Sequence, residues 1–364
     1  MSTDSPTLEE LRAAPKVSLH DHLDGGLRPQ TVLEIADEVG HALPADTAEG
    51  LGRWFFTAAS SGSLERYIST FEHTIAVMQR PEHLQRVARE FASDLAADGV
   101  VYGETRWAPE QHLSKGMSPA EAVEAVRDGL REGMESARAA GSPVMVQQLV
   151  TSMRHASPSR EIAKLAVRYR HEGVAGFDIA GAEAGFPPSR YLDAFDYLKR
   201  QNAYFTIHAG EAFGLPSIWE AVQICGANRL GHGVRIVDDI MIGEDGSVAL
   251  GDLAAYVRNR RLPLEMCPTS NVQTGAAASI AEHPIGLLKD LRFRVTVNCD
   301  NQLMGATTLS REFDALCRSF GYTMDDVRWF TINAAKSAFW RFDARLELIE
   351  DVIKPGFAAL GSTG

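Results

Sequence analysis

Short apolar runs alternate with amphipathic helical patterns along most of this chain. Eight runs end in polar or glycine-rich residues, and they span Val17–His22, Val100–Arg106, Val144–Thr151, Val174–Ile179, Tyr204–His208, Arg229–His232, Leu262–Cys267 and Arg294–Asp300. Between them apolar residues recur with the helical period, as in Ala120–Ala139 and Tyr191–Asn202. Buried strands that alternate with helices form a parallel sheet covered by helices. Eight such units predict an α/β fold, a closed (β/α)8 TIM barrel, with an open doubly wound sheet as the alternative.

The segment between the first two predicted strands is much longer than a single crossover helix needs. Helical patterns within it predict extra helices inserted after strand 1, and they cover Pro29–Glu38, Leu64–Gln79 and Pro81–Asp98. The cluster Trp54-Phe55-Phe56 is predicted to be core for these helices, with an apolar lid over the barrel mouth as the alternative. We predict that residues 1–364 form one barrel domain.

Composition and charge limit the classes of function. The chain of 364 residues has a net charge of −12 and no basic stripe, which argues against nucleic-acid binding. Its four cysteines lack zinc-finger spacing and are typical of reduced thiols in the cytosol. The N-terminus lacks a signal-peptide pattern, and no apolar stretch reaches the roughly 18 residues of a membrane span. We therefore expect a cytoplasmic protein with a small-molecule partner and no membrane partner, whose oligomeric state the sequence does not indicate.

Two histidines one residue apart, His20 and His22, end the first predicted strand and are followed by Asp24. Residues i and i+2 of a strand point to the same face, so both imidazoles can bind one metal ion. The alternative is a pair of exposed polar residues at the mouth of a loop. Histidines and carboxylates that recur at the ends of other predicted strands favour the metal site.

These further histidines and carboxylates follow the fifth, sixth and eighth predicted strands. They are His208 with Glu211, His232, and Asp300. In a (β/α)8 barrel the carboxyl ends of the strands converge on one mouth. Three imidazoles and one carboxylate suit zinc or a similar divalent ion and leave a position for water. The fourth strand runs into Gly176–Gly181 without a lysine that could become a carbamate bridge between two metals, so we predict one ion per chain.

Other polar residues in the predicted strands are interpreted as structural. Glu104 and Arg106 alternate on the second strand, and we expect both to face the barrel interior as a buried ion pair. Thr269, Ser270 and Asn271 follow the seventh strand and are expected to shape its loop, since no histidine base is implied beside them that would make one of them a nucleophile.

Seven motifs run in order through nearly the whole chain. They are KVSLHDHLDG (16–25), YGETRWAP (102–109), FDIAGAE (177–183), HAGE (208–211), RLGHG (229–233), EMCPTSN (265–271) and VNCD (297–300). Taken together, this set resembles the adenosine deaminases of the amidohydrolase superfamily. The resemblance implies hydrolysis of the 6-amino group of adenosine or deoxyadenosine to give inosine and ammonia, with one zinc ion per chain.

The resemblance also implies three groups of site residues. The implied zinc ligands are His20, His22, His208 and Asp300; the implied catalytic residues are Glu211, His232 and Asp300; the implied substrate-binding residues are His22, Asp24, Gly181 and Asn301. In this scheme Glu211 protonates N1 of the purine, and His232 accepts or orients the proton of the attacking water. Gly181 contacts the base through its backbone, and Asp24 faces the ribose.

One position departs from the family pattern. Many members carry Asn-Thr-Asp-Asp-Pro after strand 8, where this chain has Asn298-Cys299-Asp300-Asn301-Gln302. The second aspartate of that pattern bonds N7 of the purine, which is only an acceptor. An amide donates at every pH, so we expect Asn301 to make the same contact. The alternative is that Asn301 turns away and only closes the loop.

Two other functions stay open at this point. One is a deaminase of another 6-aminopurine, such as aminodeoxyfutalosine or adenine, because the outer pocket lies in the long first crossover, where the sequence is hardest to interpret. The other is a catalytically silent nucleoside-binding protein on the same fold. The presence of every implied zinc ligand and both proton-transfer residues favours the enzyme.

Overall fold

Ten strands lie in the part of the chain that the computed structural model describes, residues 5–156 and 159–361. They are β1 (Lys16–His22), β2 (Val100–Trp107), β3 (Met145–Met153), β4 (Val174–Ala180), β5 (Thr206–Ala209), β6 (Arg229–His232), β7 (Ile240–Ile242), β8 (Val248–Leu250), β9 (Pro263–Met266) and β10 (Arg294–Val297). Eight of them match the eight predicted runs. The other two, β7 and β8, form an antiparallel hairpin after β6 that the sequence patterns did not indicate.

The eight matching strands form a closed parallel barrel. Two four-stranded parallel sheets have the orders β1-β2-β3-β4 and β10-β9-β6-β5. Parallel bridges join their edges, from Asp21 to Asp300 and from Phe177 to Phe205. At the first of these junctions the backbone N–H of His22 donates to the carbonyl of Asp300 at 2.7 Å. The predicted (β/α)8 barrel is confirmed, and the open sheet is wrong.

Helices surround the barrel and fill the long first crossover. They are α1 (Leu8–Ala13), α2 (Pro29–Val39), α3 (Ala48–Ala59), α4 (Leu64–Ser69), α5 (Phe71–Val77), α6 (Pro81–Ala97), α7 (Pro119–Ala139), α8 (Ser159–Arg168), α9 (Leu192–Arg200), α10 (Leu215–Trp219), α11 (Asp252–Asn259), α12 (Pro268–Gln273), α13 (Ile285–Asp290), α14 (Gln302–Gly305), α15 (Leu309–Phe320), α16 (Met324–Ser337), α17 (Phe342–Glu347) and α18 (Lys354–Gly361). Among the residues described, no helix is both long enough and apolar enough to cross a membrane.

The inserted helices after β1 are present, with two differences from the predicted pattern. Helix α3 was not predicted, and the single helix predicted from 64 to 79 is divided into α4 and α5 at Thr70. The hydroxyl of Thr70 donates to the carbonyl of Tyr67 at 2.7 Å, which competes with regular helical hydrogen bonding. Of the cluster predicted to be core, Phe55 is fully buried, Trp54 packs against the core partly buried, and Phe56 is 42% exposed. The cavity at the barrel mouth is lined instead by Leu64 and Phe71 of the two short helices. The lid is therefore built from α4 and α5.

Charged side chains fill part of the barrel interior. Glu104 and Arg106 are both buried, as expected, but they do not pair with each other. Arg106 pairs with Glu265 at 2.8 Å and with Asp178 at 3.4 Å, while Glu104 pairs with Arg229 at 2.6 Å. Residues i and i+2 project side by side from one strand, so partners on other strands face them more directly across the barrel.

Candidate active site

The carboxyl ends of the barrel strands bring the candidate residues to one cavity of about 340 Å³. His20 and His22 lie at the end of β1, His208 lies in β5, His232 ends β6, and Asp300 follows β10. His22 is partly buried, and the other four side chains are buried. Residues more than 250 positions apart in the chain thus share one site because the barrel closes between its first and last strands.

Four imidazoles and one carboxylate form a cluster of potential metal ligands at the base of this cavity, and all of them except the fully buried His20 line it. One ligand atom from each of His20, His208, His232 and Asp300 lies within 4.8 Å of the others. Nε2 of His22 is 3.2 Å from Nε2 of His208 and 3.3 Å from Oδ1 of Asp300. Nε2 of His20 is buried without a hydrogen-bond partner, 3.3 Å from the same carboxylate oxygen. An unpartnered imidazole nitrogen that faces other donors fits a divalent metal ion.

Carboxylates orient two of these imidazoles from the side away from the cluster. Nδ1 of His20 is 2.9 Å from Oε2 of Glu265, and Nδ1 of His208 is 3.1 Å from Oδ1 of Asp178. Such a contact places the ring proton on Nδ1 and leaves Nε2 free to bind an ion. Burial lowers the pKa of His22 to about 3, so this imidazole is also neutral and able to ligate. Sequence patterns did not reveal the roles of Glu265 and Asp178.

Glu211 lies beside the cluster as a buried carboxyl group. Its Oε2 is 3.5 Å from Nε2 of His232, and the hydroxyl of Thr274 donates to its Oε1 at 2.9 Å. Burial and the charge of Asp300 raise the pKa of Glu211 well above its usual range. A carboxyl group that keeps its proton at neutral pH can act as a general acid.

The loop that carries Glu211 is held by a second buried glutamate. The carboxylate of Glu183 accepts hydrogen bonds from the backbone N–H groups of Gly210, Glu211, Ala212 and Phe213, at 2.6, 3.1, 2.8 and 3.0 Å. Four donors on one carboxylate fix the backbone of this loop. Glu183 stands in one of the seven motifs, but no role was predicted for it.

The three residues expected to contact a substrate outside the metal cluster all line the cavity. Asp24 is buried with its Oδ1 3.8 Å from Nδ1 of His22. Gly181 has a φ of 101°, a backbone conformation that favours glycine. The amide oxygen of Asn301 is buried against Gly25, where an added Cβ would overlap it, and it has no hydrogen-bond partner. Asn301 therefore belongs to the cavity wall.

Tyr67 of the lid helix α4 is a cavity residue that sequence reasoning missed. Its side chain is 2% exposed, and its hydroxyl has no hydrogen-bond partner although it lies in the same cavity as Glu211 and Asp300. A tyrosine in an amphipathic helix has the same sequence signal whether it packs in a core or faces a ligand, so no pattern could distinguish the two.

Comparison with known proteins agrees with this geometry. The family model described as "Adenosine deaminase" matches residues 15–355. "Adenosine deaminase 1" of Streptomyces coelicolor is 64% identical over 98% of this chain and 91% of its own length.

Two solved structures have the same fold. Arabidopsis ADAL complexed with IMP superposes with a TM-score of 0.82 at 25% identity, covering 96% of this chain and 99% of that chain. An amidohydrolase from Burkholderia ambifaria with bound Zn has a TM-score of 0.82 at 23% identity, covering 98% of this chain and 94% of that chain. The match of the family model over almost the whole chain and the identity to curated relatives lead to one conclusion. This chain belongs to the adenosine deaminase family.

Proposed function

We propose that this protein is a zinc-dependent deaminase that converts adenosine and deoxyadenosine to inosine and ammonia. The observation that carries this proposal is the position of Glu211, a buried carboxyl group with a raised pKa in the same cavity as the metal-ligand cluster. The adenine ring resists attack at C6 until N1 is protonated. Glu211 supplies that proton from a group that stays neutral at physiological pH.

The proposed zinc ligands are His20, His22, His208 and Asp300, and the proposed stoichiometry is one ion per chain. Three imidazoles and one carboxylate are a common zinc set, and β4 ends without a lysine that could bridge two ions. When bound, the ion lowers the pKa of a water molecule and thereby supplies the nucleophile.

Proton transfer and substrate binding are assigned to side chains and backbone groups of the protein itself. Glu211 donates its proton to N1 as a new C–O bond forms at C6. His232 hydrogen-bonds the attacking oxygen from the side of Nε2, which faces Glu211 at 3.5 Å. Asp300 accepts the proton that the attacking water loses and passes it to the 6-amino group, so that the tetrahedral carbon expels ammonia. The hydroxyl at C6 becomes a carbonyl as its proton returns to Glu211. Gly181 contacts the base through its backbone, and Asp24 and Asn301 are proposed to bind the ribose and N7.

The lining of the cavity supports a nucleoside rather than a nucleotide. Among the described residues that line it, none is lysine or arginine, whereas Asp24 and Glu72 contribute carboxylates. A phosphate group held there would meet negative charge without a compensating cation. Leu64, Ile68 and Phe71 of the lid add apolar surface that suits a purine face.

A substrate panel tests the proposal. Purified zinc-loaded protein is incubated with adenosine, deoxyadenosine, adenine, aminodeoxyfutalosine and AMP, and ammonia release is measured together with the change in ultraviolet absorbance. We expect turnover of adenosine and deoxyadenosine to exceed that of the other three. Faster turnover of adenine or aminodeoxyfutalosine would transfer the function to that substrate, and adenosine binding without ammonia release would identify a silent binding protein.

A further inference from the structure

Two buried polar side chains lie behind His232 and have no part in the reaction proposed above. Asn271 of α12 is fully buried, and His283, just before α13, is 2% exposed. Nδ2 of Asn271 is 3.0 Å from Nδ1 of His232, and Oδ1 of Asn271 is 3.1 Å from Nε2 of His283. The three side chains form one continuous hydrogen-bonded chain that ends at the cavity.

Backbone N–H donors fix the direction of each hydrogen bond that links His283, Asn271 and His232. The N–H of Ile285 donates to Nδ1 of His283 at 3.1 Å, so the ring proton of His283 is on Nε2. Nε2 of His283 therefore donates to the oxygen of Asn271. The N–H of Cys267 also points to that oxygen, at 3.3 Å. Burial lowers the pKa of His283 to about 3, which keeps its Nδ1 free to accept.

The same logic determines the tautomer of His232. Nε2 of His283 and the N–H of Cys267 both donate to the oxygen of Asn271. The atom of Asn271 that faces His232 is therefore the amide nitrogen, which can only donate. Nδ1 of His232 must accept that bond, so its single ring proton is on Nε2, toward Glu211 and the metal-ligand cluster.

We propose that Asn271 and His283 are positioning residues that hold His232 in its Nε2–H tautomer. His232 then acts as a fixed hydrogen-bond donor toward the attacking oxygen. It neither ligates a metal nor takes up a proton during the reaction. The catalytic consequence rests on the proposed deaminase function, whereas the tautomer itself does not.

A contrast among the histidines of the cluster supports this assignment. Nδ1 of His20 and Nδ1 of His208 face carboxylates at 2.9 and 3.1 Å, and Nδ1 of His22 is 3.8 Å from a carboxylate oxygen of Asp24. A carboxylate on Nδ1 is the usual partner of a metal-ligating imidazole. His232 alone among these four faces an amide donor, which excludes the Nδ1–H form that such a ligand needs.

The tautomer can be measured on the unaltered zinc-loaded protein. Long-range ¹H–¹⁵N correlation spectra of protein with ¹⁵N-labelled histidine report which ring nitrogen carries the proton, and the spectrum of His232→Asn identifies the signals of His232 among the 11 histidines. We expect a protonated Nε2 and an unprotonated Nδ1. Protonation of Nδ1, alone or together with Nε2, would overturn the proposal.

Variants test the two positioning residues separately. Asn271→Asp places an acceptor next to Nδ1, so we expect the proton of His232 to move to Nδ1 and kcat for adenosine to fall by about a hundredfold, the usual cost of losing one fixed donor, with little change in KM. Asn333→Asp, at a buried amide outside this chain of bonds, should leave the His232 signals unchanged. If Asn271→Asp keeps the Nε2–H form, Asn271 does not set the tautomer.

Replacing His283 distinguishes its hydrogen bond from its bulk. His283→Gln keeps an N–H donor for Asn271 and should retain the tautomer, while His283→Leu should give a mixture of the two forms as the amide becomes free to rotate. A pure Nε2–H form in His283→Leu would remove His283 from the proposal. A wild-type protein with the expected tautomer but no deaminase activity would reject the proposed function and leave the positioning role intact.

Discussion

His232 and Asp300 both hold a left-handed backbone conformation, with φ of 64° and 65°. Such a conformation costs a non-glycine residue on the order of 1–3 kcal/mol, so it persists only where surrounding contacts enforce it. The N–H of Asp300 donates to the carbonyl of His20 at 2.9 Å, which secures the turn after β10. The conformation directs both side chains from the strand ends into the cavity. A ligand atom of His232 and one of Asp300 thereby lie within 4.8 Å of each other.

Asn301 should bind N7 of the purine through its amide nitrogen. In 7-deazaadenosine the N7 acceptor is replaced by CH, which leaves the buried donor unpaired at a cost of about 1–3 kcal/mol. We expect kcat/KM for 7-deazaadenosine to be about tenfold lower than for adenosine in the wild-type protein. Steady-state kinetics with both substrates measure this ratio.

The matched variant is Asn301→Ala. It removes the donor, so the difference between the two substrates should largely disappear. Equal efficiency of 7-deazaadenosine and adenosine in the wild-type protein would mean that Asn301 only closes the loop after β10.

Glu211 should act as the acid toward N1 while it remains protonated. Glu211→Gln keeps the shape of the side chain and the bond from Thr274, so a purine riboside analogue should bind almost normally while kcat falls by at least about a hundredfold. Because the pKa of Glu211 is raised, the wild-type rate should be constant below that pKa and fall as the pH rises through it. This alkaline loss should be absent from the residual activity of Glu211→Gln. A variant that retains most of its kcat would assign the proton to another group.

At the scale of elements, the periodicity of the sequence located all eight barrel strands and several helices, among them α6, α7 and α9, because burial on one face repeats with a fixed period. It missed the hairpin of β7 and β8, where Met241 is 65% exposed and Ile242 is 61% exposed, since an exposed hairpin does not alternate between a core side and a solvent side. It also joined α4 and α5 across Thr70, because a helix break made by one side-chain hydrogen bond leaves the apolar period intact.

Helices α6 and α7 pack so closely that Gly129 has no room for a side chain. A Cβ at Gly129 would overlap the backbone carbonyl oxygen of Gln85, and rigid backbone cannot yield as a flexible side chain does. We expect Gly129→Ala to lower the free energy of unfolding by about 1–3 kcal/mol. Urea denaturation followed by circular dichroism measures the change.

Gly52 in α3 is the matched control. Its added Cβ would meet only Pro29, at an ordinary 3.5 Å, so Gly52→Ala should be neutral or stabilising by about 0.5–1 kcal/mol through helix propensity. If Gly129→Ala is as stable as Gly52→Ala, helices α6 and α7 can move apart at little cost in free energy.

At the scale of the whole molecule, the sequence predicted the barrel because strand number and helix alternation are local properties that add up. The pairing of buried charges is not local. Glu104 and Arg106 were expected to pair because they are neighbours on β2, yet each pairs across the barrel, with Arg229 and Glu265 respectively. The same limit applies to Asn271, whose contact with His232 depends on the pairing of β6 with β9, two strands that are far apart in the sequence. Resemblance to a family could name the residues of the reaction but not those that orient them.

Metal binding should stabilise the whole barrel, because the proposed ligands come from its first, fifth and eighth strands. One zinc ion per chain is expected by elemental analysis, and two tightly bound ions per chain would refute the single-metal site. Removing the ion with a chelator should lower Tm and abolish activity, since an ion that binds only the folded state adds its binding free energy to stability. Readdition of zinc should restore both.

His22→Ala leaves three proposed ligands and should lose most of the bound zinc. Its Tm should be lower than that of the wild type by the amount that the chelator removes from the wild-type Tm. If residues 1–364 form one domain, unfolding should be a single transition with and without zinc. A chelator-insensitive Tm in a protein that has lost its zinc would show that the cluster is preorganised by Glu265 and Asp178 alone and that the ion serves only the chemistry.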